Sequence, residues 1–411
     1  MDKRLLIITT LDTKGREADY VRQRVKERGI ASVVMDVGTL DEPLTRPDIT
    51  SSEVAEAAGQ NLDRLRATKD RVSAIRAMQE GGAILARKLV ADGTIGAVFG
   101  MGGGTGTAIV TSIMRSLPFG LPKVVVSTVA SRDVREYVGT KDIVLFHSVA
   151  DILGLNEFIG LILGQAAFAV CGMMEHGAEL KKGRPMVAVT AYGINSICAF
   201  HAEGYLAEKG YDMLGFHANG CGGMAMEELI GEGVITGVLD LTPHEIADEL
   251  YGGYCRGIGP DRLEVAGRMG IPLVLAPGGL DNAVFSPVYP MPEILKGRRT
   301  HGHDTRFCVR MESGEMERFA HIVGEKLNRS GGPAVVLIPT RGWSEADKEG
   351  MPLFDLQVDR VFTATLKQIL KPEIPVEEMD VHISDPDFAK RAVEILHSMI
   401  ELQKQSTTGQ R

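Results

Sequence analysis

Short apolar segments rich in β-branched residues alternate with amphipathic helical segments along almost the whole chain. At the start, Leu5–Thr9 reads as a buried strand, Glu17–Arg28 has helical spacing, and Ala31–Val37 reads as the next strand. Alternation of this kind is typical of parallel strands joined by helical crossovers. We therefore predict an α/β protein built from doubly wound, Rossmann-like parallel sheets.

The alternation stops at one polar segment and then begins again. Lys181–Pro185 contains two lysines, a glycine, an arginine and a proline between a helical segment and a new strand. A composition of this kind is typical of a domain boundary. The sequence therefore predicts two Rossmann-like subdomains in tandem, residues 1–183 and 184–404. Residues 405–411 follow the last helical segment, and we expect them to form a flexible tail.

Charge and hydropathy exclude some classes of partner. The 411 residues include 54 acidic and 45 basic side chains, which give a net charge of −9. A mildly acidic chain is not drawn to nucleic acid or to anionic membranes, and we expect neither partner. The most apolar segment, Phe158–Met174, is interrupted by glycines and Gln165, so we expect no membrane span. The N-terminus lacks a signal-peptide cleavage pattern, so we expect a mature cytoplasmic protein.

The most specific motif joins a predicted strand, Ile95–Phe99, to a predicted helix. Glycine admits a ligand close to the backbone, successive N–H groups can converge on an anion, and the helix start adds partial positive charge. We therefore predict phosphate or carboxylate binding here, the alternative being a tight turn without a ligand. The spacing fits neither GxGxxG nor the lysine-containing P-loop. The candidate residues are Gly102, Gly103, Gly104, Thr105, Gly106 and Thr107.

Polar residues also follow the first, second and fourth predicted strands, where ligands bind in a parallel sheet. After the first strand, Lys14 is a candidate phosphate contact, and Asp12 a candidate for a magnesium ion or a hydroxyl. After the second, Asp36 is placed to bind ribose hydroxyls. As alternatives, Asp12 or Thr13 is a helix cap, Lys14 is solvated, and Asp36 belongs to a turn. The other candidates are Thr10, Thr13, Gly38 and Ser127.

Similar loops follow the strands predicted in the second half, and they predict a second small-ligand cleft that accepts anions. The candidates for this cleft are Asn195, Ser196, His217, Gly222, Gly223, Gly278, Gly279 and Asp281. Thr242–Glu245 has the pattern of a capping box at the start of a helix. Asp12, His217 and Asp240 are weak candidates for a catalytic acid or base, and a hydrogen-bonded structural role is the alternative for His217. His301 and His303 alternate, but no third ligand is evident, so we assign no protein metal site.

Four motifs in order resemble the Tm-1-like ATP-binding family of UPF0261-type proteins. They begin at Thr9 (TTLDTKGRE), Gly102 (GGGTGT), Gly215 (GFHANGCGGMAME) and Ala276 (APGGLD), and they cover nearly the whole chain. The resemblance implies two Rossmann-like subdomains, ATP with magnesium in the first, and a homodimer. It also implies nucleotide contacts at Asp12, Thr13, Lys14, Asp36 and Gly102 to Thr107.

Two functions fit these expectations. The first is an ATP-dependent enzyme that performs phosphoryl or nucleotidyl transfer on a small polar or acidic metabolite bound between the two halves. The second is a regulatory module without turnover, in which ATP stabilises a dimer or a closed state. An NAD-linked dehydrogenase is a third and weaker interpretation because the dinucleotide fingerprint is missing.

Overall fold

The structure is a computed structural model that describes residues 3–177, 183–302 and 304–408. The chain divides into two compact units, Met1–Lys181 and Lys182–Arg411. Lys181 and Lys182 of the predicted linker lie outside the described residues, as do residues 409–411 of the predicted tail.

The first unit contains one five-stranded parallel sheet in the order β2-β1-β3-β4-β5. Its strands are β1 (Arg4–Thr9), β2 (Ser32–Asp36), β3 (Ile95–Gly102), β4 (Lys123–Ser127) and β5 (Val144–His147). Its helices are α1 (Leu11–Glu27), α2 (Ser51–Ala57), α3 (Leu62–Thr68), α4 (Arg71–Ala91), α5 (Gly104–Arg115), α6 (Arg135–Val138) and α7 (Glu157–His176).

Helices cover both faces of this sheet. Successive residues of each strand point to opposite sides, so both faces carry apolar side chains that the helices bury. Leu5 and Ile7 pack with α1 and α7, whereas Leu6 and Ile8 pack with α2, α4 and α5. All four side chains are fully buried. The prediction of a doubly wound parallel sheet is therefore confirmed for this unit.

Helix α7 is long and apolar enough, by length and composition alone, to cross a membrane. The expectation from the sequence was the opposite, because glycines interrupt the segment. One face of α7, which includes Ile159 and Leu163, is buried against α1 and the sheet. Phe158, Leu161 and Phe168 are exposed. A helix that closes the core of a globular domain passes the same test of length and hydropathy.

The second unit contains a six-stranded parallel sheet in the order β14-β13-β9-β8-β6-β7, together with a small antiparallel sheet. Its strands are β6 (Met186–Ala191), β7 (Asp212–His217), β8 (Ile235–Asp240), β9 (Leu273–Leu275), β10 (Asn282–Phe285), β11 (Thr300–Gly302), β12 (Phe307–Arg310), β13 (Ala334–Pro339) and β14 (Val376–Met379). Its helices are α8 (Ser196–Glu208), α9 (Cys221–Gly231), α10 (Glu245–Tyr251), α11 (Val265–Met269), α12 (Ser313–Asn328), α13 (Leu356–Ile369) and α14 (Pro386–Thr408), with a 3₁₀ turn at Glu293–Leu295.

This larger sheet is also covered on both faces. Val187 and Val189 point to the side of α8 and α14, and Ala188 points to the side of α9, α12 and α13. The two parallel sheets in tandem confirm the predicted fold class. The antiparallel sheet β10-β12-β11 was not predicted, because strands of three or four residues leave little periodicity in the sequence.

Two local expectations differ from the structure. Thr242 does not cap α10: its Oγ1 donates to the carbonyl of Thr190, and the helix begins at Glu245 without a side-chain cap within the described residues. At the C-terminus, α14 continues to Thr408 and so includes the first four residues of the predicted tail. No glycine or proline interrupts the sequence between Lys404 and Thr408, so the helix has no reason to end earlier.

Candidate functional site

A cavity of about 570 Å³ lies at the carboxyl ends of the strands of the first unit. It lies where the strand order reverses, since β2 and β3 flank β1 on opposite sides. Parallel α/β sheets bind ligands at such a switch point. The lining residues are Thr10, Asp12, Thr13, Lys14, Thr39, Leu40, Leu44, Arg71, Gly103, Gly104, Thr105, Gly106, Ile109, Asp151, Leu153 and Gly154.

The glycine turn between β3 and α5 contributes four consecutive lining residues, 103–106. A Cβ on Gly102 would lie 2.7 Å from the Cα of Gly106, so glycine at 102 is required by the turn itself. A Cβ on Gly104 would have no atom of the described chain within 4 Å. Packing therefore does not require glycine at 104, although a side chain there would change the lining of the cavity.

Thr107 and Ser127 support the turn from behind. Their hydroxyl oxygens are 2.7 Å apart, and the Thr107 hydroxyl donates to the carbonyl of Gly102 at 3.2 Å. The Ser127 hydroxyl also accepts from the N–H of Val129. Both side chains are buried and neither lines the cavity. The structure therefore gives these two predicted contacts a positioning role.

Asp36 connects the second strand to the start of α1. Its Oδ1 accepts from the N–H of Leu11 at 2.9 Å and from the N–H of Gly38 at 2.8 Å. Burial raises the pKa of Asp36, and the two backbone donors oppose that rise. Neither Asp36 nor Gly38 lines the cavity. Because the carboxylate is fully buried, its observed role is to position the first turn of α1.

Asp12 in that first turn does line the cavity. Its Oδ2 accepts from the N–H of Leu40 at 2.9 Å, while its Oδ1 is buried without a hydrogen-bond partner among the described residues. A Cβ on Gly38 would lie 2.8 Å from the carboxylate carbon of Asp12, so glycine at 38 leaves room for this group. Thr10 and Thr13, whose hydroxyl oxygens are 2.9 Å apart, line the cavity beside it.

Lys14 lies at a kink where α1 departs from helical geometry, with φ −125° and ψ 21°. Its side chain is mostly buried, and its ammonium donates to the carbonyl of Ile152 in the loop after β5. The predicted solvated alternative is therefore wrong. The bond instead ties the loop after β5 to α1.

Several lining residues were missed by sequence reasoning. Arg71, the first residue of α4, donates from Nη2 to the hydroxyl of Thr105 at 3.2 Å, so its guanidinium lies at the glycine turn. It is more than 30 positions away in the sequence and belongs to no motif. The other missed residues are Thr39, Leu40, Leu44, Ile109, Leu153 and Gly154.

In the second unit, the loops at the corresponding switch point are packed against one another. Asn195 Oδ1 accepts from the hydroxyl of Thr242 at 3.1 Å, and the Ser196 hydroxyl donates to a carbonyl of the preceding loop. A Cβ on Gly278 would lie 2.3 Å from Asn195 Nδ2, and one on Gly279 2.6 Å from the Cβ of His244. Glycine at 278 and 279 is therefore required by this packing.

Gly223, in the first turn of α9, lies beside a buried arginine, Arg262. Arg262 donates to Asp240 Oδ1 and to Glu245 Oε2, each at 2.9 Å, and all three side chains are fully buried. A Cβ on Gly223 would lie 2.4 Å from that Glu245 oxygen, and one on Gly222 1.9 Å from the His217 carbonyl. Asp240 is therefore held in an ion pair and is not free to act as a base.

His217 and Asp281 have different surroundings. His217 is exposed at the end of β7, and burial of part of its ring, with the charge of Arg306, lowers its pKa. Asp281 is fully buried and accepts from the hydroxyl of Ser344 at 2.8 Å. A separate cavity of about 590 Å³ in this unit involves α10 and α12, and none of the predicted second-cleft residues lines it.

Metal-binding side chains do not cluster in the described parts of the chain: no group of three or more His, Cys, Asp or Glu residues is arranged to hold a metal ion there. His303 of the alternating pair lies outside the described residues. Two carboxylates, Asp12 and Asp151, line the first-unit cavity.

Comparison with known proteins matches both halves of the chain to one family. Models of the N-terminal and C-terminal domains of UPF0261, an uncharacterised protein family, match residues 3–179 and 184–400. A UPF0261 protein of Clostridium tetani is 40% identical over 404 residues, which is 98% of this chain and 100% of the relative.

Two tomato proteins are also similar. The ToMV resistance protein Tm-1(GCR237) of Solanum lycopersicum is 36% identical over 318 residues, which is 75% of this chain and 42% of that protein. The ToMV susceptible protein tm-1(GCR26) is 32% identical over 427 residues, which is 98% of this chain and 56% of that protein. The resemblance inferred from the motifs is confirmed, and the chain belongs to the UPF0261 family and is homologous to the N-terminal region of tomato Tm-1.

Proposed function

We propose that the first unit binds ATP with magnesium, and that the phosphates bind at the glycine turn 103–106. The observation that carries this proposal is the open space beside Gly104. A Cβ there meets no described atom within 4 Å, yet the residue lines the cavity. Glycine in a first helical turn lowers stability relative to alanine. A ligand that approaches the backbone closely explains why glycine is present.

The electrostatics of the turn favour an anion. The first N–H groups of α5 have no carbonyl partner within the helix, and Gly103 offers no capping side chain. The helix dipole adds partial positive charge at the same point. Arg71 brings a full positive charge to Thr105. These three features together match the charge of a polyphosphate.

Asp12 is the side chain that would hold magnesium at this cavity. One of its carboxylate oxygens is buried without a described partner, and an oxygen in that state fits a cation that prefers oxygen ligands. Magnesium supplies neutralisation of phosphate charge when it is bound. Asp12 would hold the ion, and the amides of residues 104–106 would donate to the phosphate oxygens.

The same arrangement supports phosphoryl or nucleotidyl transfer to a small polar or acidic metabolite. Such transfer depends on positioning and charge neutralisation more than on covalent chemistry by the protein. Asp12 is the predicted acid–base candidate that lines the cavity, whereas Asp240 is held by Arg262. In the alternative regulatory function, ATP binds the same residues and stabilises one state without turnover.

Titration calorimetry of the full chain with ATP and magnesium tests the proposal. The wild-type protein should bind ATP saturably, and Gly104→Val should abolish binding because the side chain occupies the phosphate position. Gly172→Val is the matched control, since Gly172 lies in α7 and also has open space at its Cβ position. Both variants should keep the wild-type circular dichroism spectrum.

Either of two results would contradict this assignment: absence of ATP binding by the wild-type chain, or unchanged binding by Gly104→Val. Release of ADP, expected for phosphoryl transfer, or of pyrophosphate, expected for nucleotidyl transfer, is measured with and without a metabolite library and then decides between the two functions. Turnover supports the enzyme, and saturable binding without turnover supports the regulatory module.

A further inference from the structure

Three leucines line the cavity and are largely exposed. Leu40 is 65% exposed, Leu44 63% and Leu153 77%, although each lies beside polar groups of the same cavity. Single exposed leucines are ordinary on a protein surface, but several around one cavity mark a contact surface for a ligand. The glycine turn and Arg71 provide nothing apolar that would explain them.

The backbone that carries these leucines is attached to the first turn of α1. The N–H of Leu44 donates to the carbonyl of Leu11 at 2.9 Å. The N–H of Leu40 donates to Asp12, and the carbonyl of Ile152, next to Leu153, accepts from Lys14. The leucines therefore belong to two separate loops that are fixed to the same turn.

Gly15 allows one of these loops to lie against α1. A Cβ on Gly15 would lie 2.7 Å from the Cβ of Leu44 and 3.1 Å from the backbone nitrogen of Thr45. The close approach places Leu44 at the cavity. This explains a glycine inside a helix, where glycine otherwise costs about 1 kcal/mol relative to alanine.

We propose that Leu40, Leu44 and Leu153 bind the nucleobase of the nucleotide by contact with its apolar faces. The inference rests on the proposed function, because it takes the glycine turn as the phosphate site. The proposed phosphate site lies at the first turn of α5, whereas the loops that carry the leucines are bonded to the first turn of α1. A cavity of about 570 Å³ is within the usual range for a small-molecule ligand. The leucines are thus the part of the site that distinguishes a nucleotide from inorganic polyphosphate.

Calorimetry with two probes, ATP and inorganic tripolyphosphate, tests this inference on the full chain. Leu153→Ala and the double variant Leu40→Ala/Leu44→Ala should each bind ATP about tenfold more weakly, since each removes apolar contact area. Their affinity for tripolyphosphate should remain within twofold of wild type. Leu402→Ala is the control because Leu402 is 63% exposed on α14, in the other unit.

An ATP affinity that stays within twofold of wild type in both leucine variants would overturn the inference. Equal weakening of ATP and tripolyphosphate would also overturn it, since the leucines would then act only by holding the phosphate site. These outcomes differ from failure of the proposed function. In that case the wild-type chain binds neither probe, or Gly104→Val still binds both.

Discussion

The two parallel sheets reverse strand order in the same way, but their switch points are filled differently. In the first unit β1 lies between β2 and β3, and in the second unit β6 lies between β7 and β8. The first switch point opens into a cavity beside Gly104. At the second, Asn195, Thr242 and His244 pack against the backbone and one another. The same topology therefore gives an open crevice or a filled one, according to the side chains placed on its loops.

The filled switch point depends on charge pairing as well as on packing. Arg262 is surrounded by Asp240, Glu245 and Glu227, and all four side chains are buried. Burial raises the pKa of Glu227 to about 7. A buried guanidinium compensates carboxylates that would otherwise be very costly to desolvate. Arg71, near the open switch point, forms no ion pair with the residues that the structure describes, and its guanidinium donates to the hydroxyl of Thr105 instead.

The largest effect is expected from removing Arg262, with removal of Arg71 as the comparison. Arg262→Ala should lower the free energy of unfolding of the second unit by about 3–5 kcal/mol, because it leaves buried carboxylates uncompensated. Arg71→Ala should change it by less than about 0.5 kcal/mol. Urea denaturation followed by far-ultraviolet circular dichroism reports on both units, and fluorescence of Trp343, the only tryptophan in the sequence, identifies the transition of the second unit. Equal free energies of unfolding for the two variants would contradict the expected difference between the two arginines.

Acid should weaken the filled switch point through His244. Burial lowers the pKa of His244 to about 3, so the folded protein does not take up a proton that the unfolded chain takes up below about 6.5. This contribution to stability is complete above pH 6.5 and is lost as the pH falls towards 3. Relative to His244→Gln, the wild type should lose about 2 kcal/mol between pH 7 and pH 4.5. A pH-independent difference in Trp343-monitored unfolding would contradict this.

A smaller effect is expected from adding one methyl group at each switch point. Gly223→Ala should destabilise the second unit by about 1.5 kcal/mol, because the new Cβ lies too close to Glu245 and Arg262. Gly104→Ala should raise thermal stability slightly, by about 0.5 kcal/mol, since its Cβ has open space and alanine favours helix. Differential scanning calorimetry of both variants measures the contrast. A larger loss for Gly104→Ala than for Gly223→Ala would reverse our comparison.

Much of the fold was predictable from sequence periodicity. Buried strands such as Arg4–Thr9 and Lys123–Ser127 are short apolar runs between helical segments. Parallel strands have this pattern because helices bury them on both faces of the sheet. The strands of the antiparallel sheet were missed because each has only three or four residues, and because β10 pairs with a strand more than 20 residues away. The role of Thr242 was missed because its partner, Thr190, lies on another strand.

The candidate site was predictable only where its lining residues directly follow a strand. Thr10, Asp12 and the glycine turn follow strands directly, and the structure brings them to one cavity. Asp36 also ends a strand, but its bond to Leu11 depends on how β2 lies beside β1. Arg71 had no local signal, because its proximity to Thr105 comes from packing of α4 against α5.

One loop carries Leu40 and Leu44, another carries Leu153, and both are attached to α1. This attachment affects how the lining of the cavity can change. The bonds at Leu44 and Ile152 use main-chain atoms of the loops, so replacing the loop side chains leaves the attachment in place. Substitutions at positions 40, 44 and 153 can therefore alter the shape and polarity of the rim without disturbing the sheet beneath it. The rim of the cavity can therefore diverge in shape and polarity while the fold that carries it is preserved.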